Sequence, residues 1–190
     1  QHVDIALQDA MLFQSDGLPT LGALGIEPTR MGNEFGFAAP ANVYDCLDGA
    51  VYLGVLLDDH WKILAPIIGE PELAEHPTFA TRDERAVNRD VCNMMVSEWA
   101  KQLPREQVLK KLQTAGLPAA PVNTFPEAAK DPHVQERDML QPIEFSNGVT
   151  MPITGPAAKF SRTPTKVRSA APDIGQHNEE ILTKIGMKTD

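Results

Sequence analysis

Glycine and proline crowd the stretch from Asp16 to Pro40, where Gly17, Pro19, Gly22, Gly25, Pro28, Gly32, Gly36 and Pro40 interrupt every candidate periodicity. Proline removes a backbone donor and glycine adds backbone entropy, so a regular element spanning this stretch is disfavoured. The stretch reads as a long linker or loop, and it separates a short leading piece, residues 1–15, from a longer body. The 190 residues, 42% apolar and 23% charged, are enough for a domain with a core.

The leading piece alternates: Val3, Ile5 and Leu7 fall on one face of a strand expected over His2–Leu7, and Gln8–Phe13 turns toward helix. Beyond the linker, Val43–Leu47 and Ala50–Leu56 flank Asp48-Gly49, a dipeptide that accepts the positive φ of a tight hairpin turn. Asp58 is placed to cap a helix bearing Trp61, Leu64, Ala65, Ile67 and Ile68 and ended by Gly69. Thr81-Arg82-Asp83-Glu84 has the form of a capping box, with Val87, Val91, Met94, Met95 and Trp99 as the expected apolar stripe of the helix that follows. Pro104 opens another helix, with Val108, Leu109 and Leu112 on its face and Gly116 past its end.

After Pro121 the elements shorten. Glu127–Lys130 and His133–Asp138 suggest helical turns, and Ile143–Phe145 and Val149–Ile153 flank a second turn-former, Asn147-Gly148. Gly155–Pro172 has no periodicity and carries a basic cluster, Lys159, Arg162, Lys166 and Arg168. The chain closes on an amphipathic helix: Glu179 and Glu180 suit its positive end, Ile181, Leu182 and Ile185 form its stripe, and Gly186 stops it.

Several functions are disfavoured by the residues themselves. A net charge of −9 and a pI near 5.0 argue against binding to nucleic acid or to an anionic membrane. His2, His60, His76, His133 and His177 are dispersed, and Cys46 and Cys92 stand alone, so neither a metal site nor a disulfide framework is expected; a reducing cytoplasmic location is the default. There is no long apolar run, no Gly-x-Ser-x-Gly elbow and no phosphate-binding glycine loop. The adjacent carboxylates Asp58-Asp59 and Glu179-Glu180 do not face each other on a helix and make poor acid/base pairs.

An ordered set of short motifs carries a resemblance. It comprises Gln1-His2-Val3-Asp4-Ile5-Ala6-Leu7-Gln8-Asp9-Ala10, Asp48-Gly49 with Trp61, Glu70-Pro71-Glu72-Leu73, His76-Pro77-Thr78-Phe79, Arg85 with Asn88, Ala115-Gly116-Leu117-Pro118-Ala119-Ala120-Pro121-Val122, Asp131-Pro132-His133-Val134-Gln135-Glu136-Arg137, and the closing stretch Ala171–Gly186. The set resembles the C-terminal half of the class III CoA-transferases, the family of formyl-CoA transferase, carnitine CoA-transferase and alpha-methylacyl-CoA racemase. The resemblance implies an α/β fold with α+β character. A small α+β domain over 41–125, a short antiparallel sheet plus helices, would be reached through the linker 16–40 and flanked by parts of a doubly wound α/β large domain, residues 1–15 and 126–190. It also implies interlocked homodimers.

The implied activity is transfer of CoA from an acyl-CoA to a carboxylic acid, with a CoA thioester as substrate and no permanently bound cofactor. The family's nucleophilic aspartate lies upstream of the strand that begins this chain, so the chain is expected to be a catalytically empty fragment; Gln1 in place of Met fits that expectation. Epimerisation α to a thioester and a non-catalytic binding or assembly module are the alternatives. The loop Met31–Pro40 corresponds in position to a glycine-rich segment that folds over the catalytic carboxylate in formyl-CoA transferase. Here it has Gly32 and Gly36 rather than a run of glycines. Its candidate substrate-contacting residues are Gly32, Asn33, Glu34, Phe35, Gly36 and Phe37, with the glycines as hinges and the phenylalanines as a water-excluding face; a plain linker turn is the other reading.

Overall fold

The computed structural model describes residues 2, 4–15 and 17–187, in two compact units, one ending at Val122 and one beginning at Asn123. In the first unit, β1 (Ala41–Cys46), β2 (Gly49–Gly54) and β3 (Ala119–Val122) form an antiparallel sheet in the order β1-β2-β3. Tyr44 faces Val51, and Leu53 of the central strand faces Ala119. Val51, Leu53 and Val55 alternate inward, and Pro121 is tolerated because β3 is an edge strand. Four helices follow the hairpin: α3 (Asp58–Ile67), α4 (Arg82–Val87), α5 (Arg89–Ala100) and α6 (Arg105–Thr114), with a short 3-10 turn at Pro71–Ala74. Trp61, Leu64 and Ala65 of α3, Cys92 and Val96 of α5, and Val108 and Leu112 of α6 fill the core with the sheet. The indole of Trp61 donates to the Leu73 carbonyl at 2.9 Å, so its polar edge is satisfied inside that core. Gly69 and Gly116 end α3 and α6 with φ of 91° and 79°, as the glycine stops predict.

Ahead of the sheet the strand expected over His2–Leu7 is not formed. His2 and Asp4–Ala6 are irregular and a helix (Leu7–Gln14), α1, begins inside the expected span; Val3 lies outside the described residues. A strand needs a neighbour to satisfy its backbone, and none of the described strands pairs with this segment. The Gly/Pro-rich stretch is not wholly irregular either. A short helix, α2 (Leu18–Ala23), uses Pro19 in its first turn, where a missing N–H costs nothing; Asp16 lies outside the described residues.

Three local expectations are corrected by tertiary contacts. In the first hairpin Cys46 pairs with Gly49, so the turn residues are Leu47-Asp48 rather than Asp48-Gly49. The Leu47 N–H donates to the Leu103 carbonyl at 3.0 Å, and the Asp48 carboxylate accepts from the Arg105 N–H at 2.6 Å; these bonds fasten the turn to the start of α6. Asp58 is the first residue of α3, not its cap, and its carboxylate accepts from the Arg85 guanidinium at 3.1 Å. Asn88 breaks the long helix into α4 and α5, and the buried face is Arg85, Cys92, Val96 and Ala100, whereas Val87, Val91 and Met94 are exposed. Of the expected stripe, Met95 and Trp99 do pack against the core, half-buried, while Val87, Val91 and Met94 turn away from it. Thr81 does cap α4, accepting from the Glu84 N–H at 3.2 Å.

Arg85 is the core residue that polarity conceals. Its side chain is fully buried; Nε donates to Ala39 O at 2.9 Å, Nη1 to Phe79 O at 2.9 Å and to Ala80 O at 3.3 Å, and the guanidinium lies 5.7 Å from the Trp61 ring. Burial lowers its pKa, and the bond to Asp58 opposes that shift.

The second unit contains α7 (Phe125–Lys130), α8 (Pro132–Glu136), a hairpin of β4 (Leu140–Glu144) and β5 (Thr150–Thr154), and α9 (Asn178–Lys184). Thr124 and Glu127 form a reciprocal capping box at the start of α7. The second hairpin forms around Asn147-Gly148 with a three-residue loop, Ser146-Asn147-Gly148: Gly148 has φ 78°, its N–H donates to Phe145 O at 2.9 Å, and Phe145 N–H donates to Val149 O at 2.9 Å. Gly155–Pro172 is irregular, as expected. The apolar residues of α1 and α9 find no core: Leu7, Phe13, Ile181 and Ile185 are exposed.

Candidate functional site

The segment just before β1 is bent into an open groove of about 1040 Å³. Leu18 and Leu21 of α2, Pro28 and Met31 supply apolar surface; Arg30, Glu34 and Arg89 supply charge; Thr29, Gly32, Phe35, Gly36 and Phe37 complete the lining. Five of the six candidate residues therefore lie in one groove, and the sixth, Asn33, is exposed and does not line it.

The shape of this loop follows from its glycines and its anchors. Gly32 takes φ 63°, a left-handed turn that a side chain would strain. Gly36 is not among the glycines with positive φ, and a Cβ there would sit 3.4 Å from the Met31 sulfur. The Phe35 N–H donates to Ala41 O at 3.0 Å, which ties the loop to the first residue of β1. The rings of Phe35 and Phe37 pack edge to face, 5.7 Å apart at 74°, with Phe37 55% exposed.

Helix α5 holds the same loop from the other side through two residues one turn apart. Arg89 donates from Nη2 to Gly36 O at 3.3 Å and places Nη1 3.5 Å from the Met31 sulfur, while its Nε is bonded to Ala86 O at 3.0 Å. Asn93 donates from Nδ2 to a Glu34 carboxylate oxygen at 3.1 Å and accepts on Oδ1 from the Tyr44 hydroxyl at 2.6 Å. Tyr44 is buried, and burial pushes its phenol far above the usual range, so it remains a protonated donor. That donor fixes which end of the Asn93 amide faces Glu34. Arg89, Asn93 and Tyr44 were missed as loop partners from the sequence. Their one signal is the i, i+4 spacing of Arg89 and Asn93 on a helix otherwise read for its apolar stripe.

The chemistry available in the groove is recognition rather than attack. Two guanidinium groups and a tethered carboxylate sit among apolar surfaces, a set able to receive an acid with an apolar stem. Of the two cysteines, Cys92 is buried, with its thiol pushed up to about 11, and Cys46 is likewise raised by burial, so neither is poised as a thiolate. Among the described residues no group of three or more His, Cys, Asp or Glu could hold a metal, and no helix is long and apolar enough to cross a membrane. His177 is the N-cap residue of α9, and its side chain makes no capping hydrogen bond.

Residues 1–178 match the family model for CoA-transferase family III. The chain belongs to CoA-transferase family III. Among family III relatives it is 31% identical over 189 residues to a succinyl-CoA–L-malate CoA-transferase beta subunit of Chloroflexus aurantiacus, covering 97% of this chain and 47% of that protein. It is 29% identical to a succinyl-CoA:mesaconate CoA-transferase of Haloarcula marismortui, covering 100% of this chain and 48% of that protein. A formyl-CoA:oxalate CoA-transferase of Streptomyces coelicolor is 30% identical over 83% of this chain and 39% of its own length. The crystal structure of a CAIB/BAIF family protein from Brucella suis superposes with a TM-score of 0.74 at 31% identity, covering 97% of this chain and 48% of that one. The family III chain thus spans about half the length of the curated relatives it matches, and its mix of helices with small antiparallel sheets matches a CAIB/BAIF structure.

Proposed function

We propose that this chain is one half of an enzyme that moves CoA between an acyl-CoA and a carboxylic acid through an aspartyl-CoA thioester. The family III match across residues 1–178 is the observation that carries this reading, and the relatives named above, all transferases, favour transfer over epimerisation. In the proposed sequence an aspartate supplied by residues outside this chain attacks the thioester carbonyl and expels the CoA thiolate, leaving a mixed anhydride. The thiolate then attacks the aspartyl carbonyl, releasing the donor acid and forming the aspartyl-CoA thioester. The acceptor carboxylate attacks that thioester to give a second mixed anhydride, and the thiolate attacks the acceptor's acyl carbon, restoring the aspartate.

This chain's part is to cover and to receive. Gly32–Phe37 would shield the acyl intermediates from water with the edge-to-face pair Phe35 and Phe37, held by Arg89 and Asn93. Arg30 and Arg89 would attract the carboxylate of an acid. In the complete protein, the exposed apolar residues of α1 and α9 would be covered by a doubly wound large domain within an interlocked homodimer. The enzyme would work in the cytoplasm.

Denaturing intact-mass spectrometry after incubation with succinyl-CoA tests the reading. The complete parent protein should gain an acyl or CoA adduct, and the 20.8 kDa chain alone should gain none. An adduct on this chain would place the nucleophile among its own residues and overturn the assignment.

A further inference from the structure

The three charged groups of the groove are kept apart. Arg30, Glu34 and Arg89 all line it, yet among the described residues neither guanidinium forms an ion pair with the Glu34 carboxylate. Arg89 directs its donors to neutral atoms, the Ala86 and Gly36 carbonyls and the Met31 sulfur. Opposite charges that share a groove attract one another, so their separation needs a holder. Asn93 is that holder: its Nδ2 donates to Glu34 Oε1 at 3.1 Å, while its Oδ1 accepts from the Tyr44 hydroxyl at 2.6 Å. With Oδ1 occupied, the amide can turn only its N–H end toward Glu34, and the buried Tyr44 anchors it in the core.

The second oxygen of the same carboxylate, Glu34 Oε2, has no hydrogen-bond partner among the described residues. The groove therefore offers guanidinium donors for a carboxylate and, beside them, an acceptor with nothing to accept from. An acid that meets both carries a further group with a proton to donate. A neutral hydroxyl meets that need. An ammonium would lie among two guanidinium groups, and a second carboxylate would face Glu34, each at the cost of like-charge repulsion.

We propose that Glu34 is a specificity-determining residue that selects a hydroxy acid over the same acid without the hydroxyl, accepting the hydroxyl proton on Oε2, with Asn93 and Tyr44 as its positioning residues. That the acid takes part in CoA transfer rests on the transfer reading above; the selection at Glu34 rests on the groove alone.

Malate and succinate, equal in charge at neutral pH and different by a hydroxyl, test it when each is titrated into the 190-residue chain at constant ionic strength and followed by backbone amide NMR. The amides of 30–37 should shift, and the better-bound enantiomer of malate should bind about tenfold tighter than succinate, as one hydrogen bond to a charged group implies. Glu34→Ala should bring that ratio to about one. Succinate should bind this variant at least as tightly as before, because a like charge is gone, and that result also shows that the groove survives the change. Tyr44→Phe should narrow the ratio without weakening succinate. Groove amides that move with neither acid, a ratio near one in the unaltered chain, or equal weakening of both acids by Glu34→Ala would overturn the selection. Aspartate should bind more weakly than malate, and tighter binding would overturn the assignment to a hydroxyl. Adduct formation by the parent protein with no preference for malate would remove the selection and leave the transfer reading intact; the preference without any adduct would do the reverse.

Discussion

Replacing Arg85 with Met removes the guanidinium while keeping most of the volume of the side-chain stem, and the loss can be worked from its partners. Ala39 and Phe79 are almost wholly buried, so their carbonyls, now bonded at 2.9 Å, would be left without a donor that water can replace. An unsatisfied buried carbonyl costs about 1–3 kcal/mol. The Asp58 carboxylate, with a side chain 48% exposed, returns to water at little cost. Relief from burying the cation offsets part of the carbonyl term, leaving a net loss of about 3 kcal/mol. That is a large share of a typical folding free energy of about 5–15 kcal/mol. Urea unfolding followed by tryptophan fluorescence is the assay, and because Trp61 and Trp99 both lie in the first unit it reports that unit. Asp58→Ala should cost less than about 1 kcal/mol by the same measurement. An Arg85→Met variant within about 1 kcal/mol of the parent, or an Asp58→Ala variant that costs as much as it does, would refute the carbonyl account.

Alkaline pH should weaken the same unit. The buried Cys92 thiol is raised from 9.0 to about 11, so the folded state holds its proton more tightly than the unfolded chain does. The stability from this group is complete below about pH 9 and lost by about pH 11, roughly 2 kcal/mol, with Tyr44 adding to the loss in the same direction above pH 10.0. Urea midpoints measured between those limits should fall, and a flat profile would contradict the burial of both groups. In the groove, Asn93→Ala removes both the Tyr44 and the Glu34 bonds, so limited proteolysis should cut within 31–37 several-fold faster, while Asn33→Ala should leave the rate unchanged.

Much of the local structure was legible because it depends on short-range chemistry. Asn147-Gly148 dictated the second hairpin, Gly69 and Gly116 stopped their helices, and Thr81 capped α4, each through a backbone angle or a bond a few residues away. The site was legible only as a place. Gly32 and Gly36 marked a bend, but its fasteners, Arg89 and Asn93, are more than fifty residues further along the chain. Family membership was likewise carried by an ordered set of motifs along the chain, which needs no coordinates to be seen.

Tertiary structure decided what those local rules leave open. The first hairpin turned at Leu47-Asp48 because Leu103 and Arg105 offered partners there, and Asp58 gave up a cap for a buried guanidinium. Val87, Val91 and Met94 lost to Arg85, Cys92 and Val96 because the buried Ala39 and Phe79 carbonyls need a donor as well as apolar volume around them. Among the described residues no strand edge pairs with the segment where a first strand was expected. Sequence by itself determined where the chain bends, caps and stops, since those are properties of one residue and its near neighbours. Only the tertiary structure decided which face is buried and which polar group is matched, since each of those depends on a partner distant in sequence.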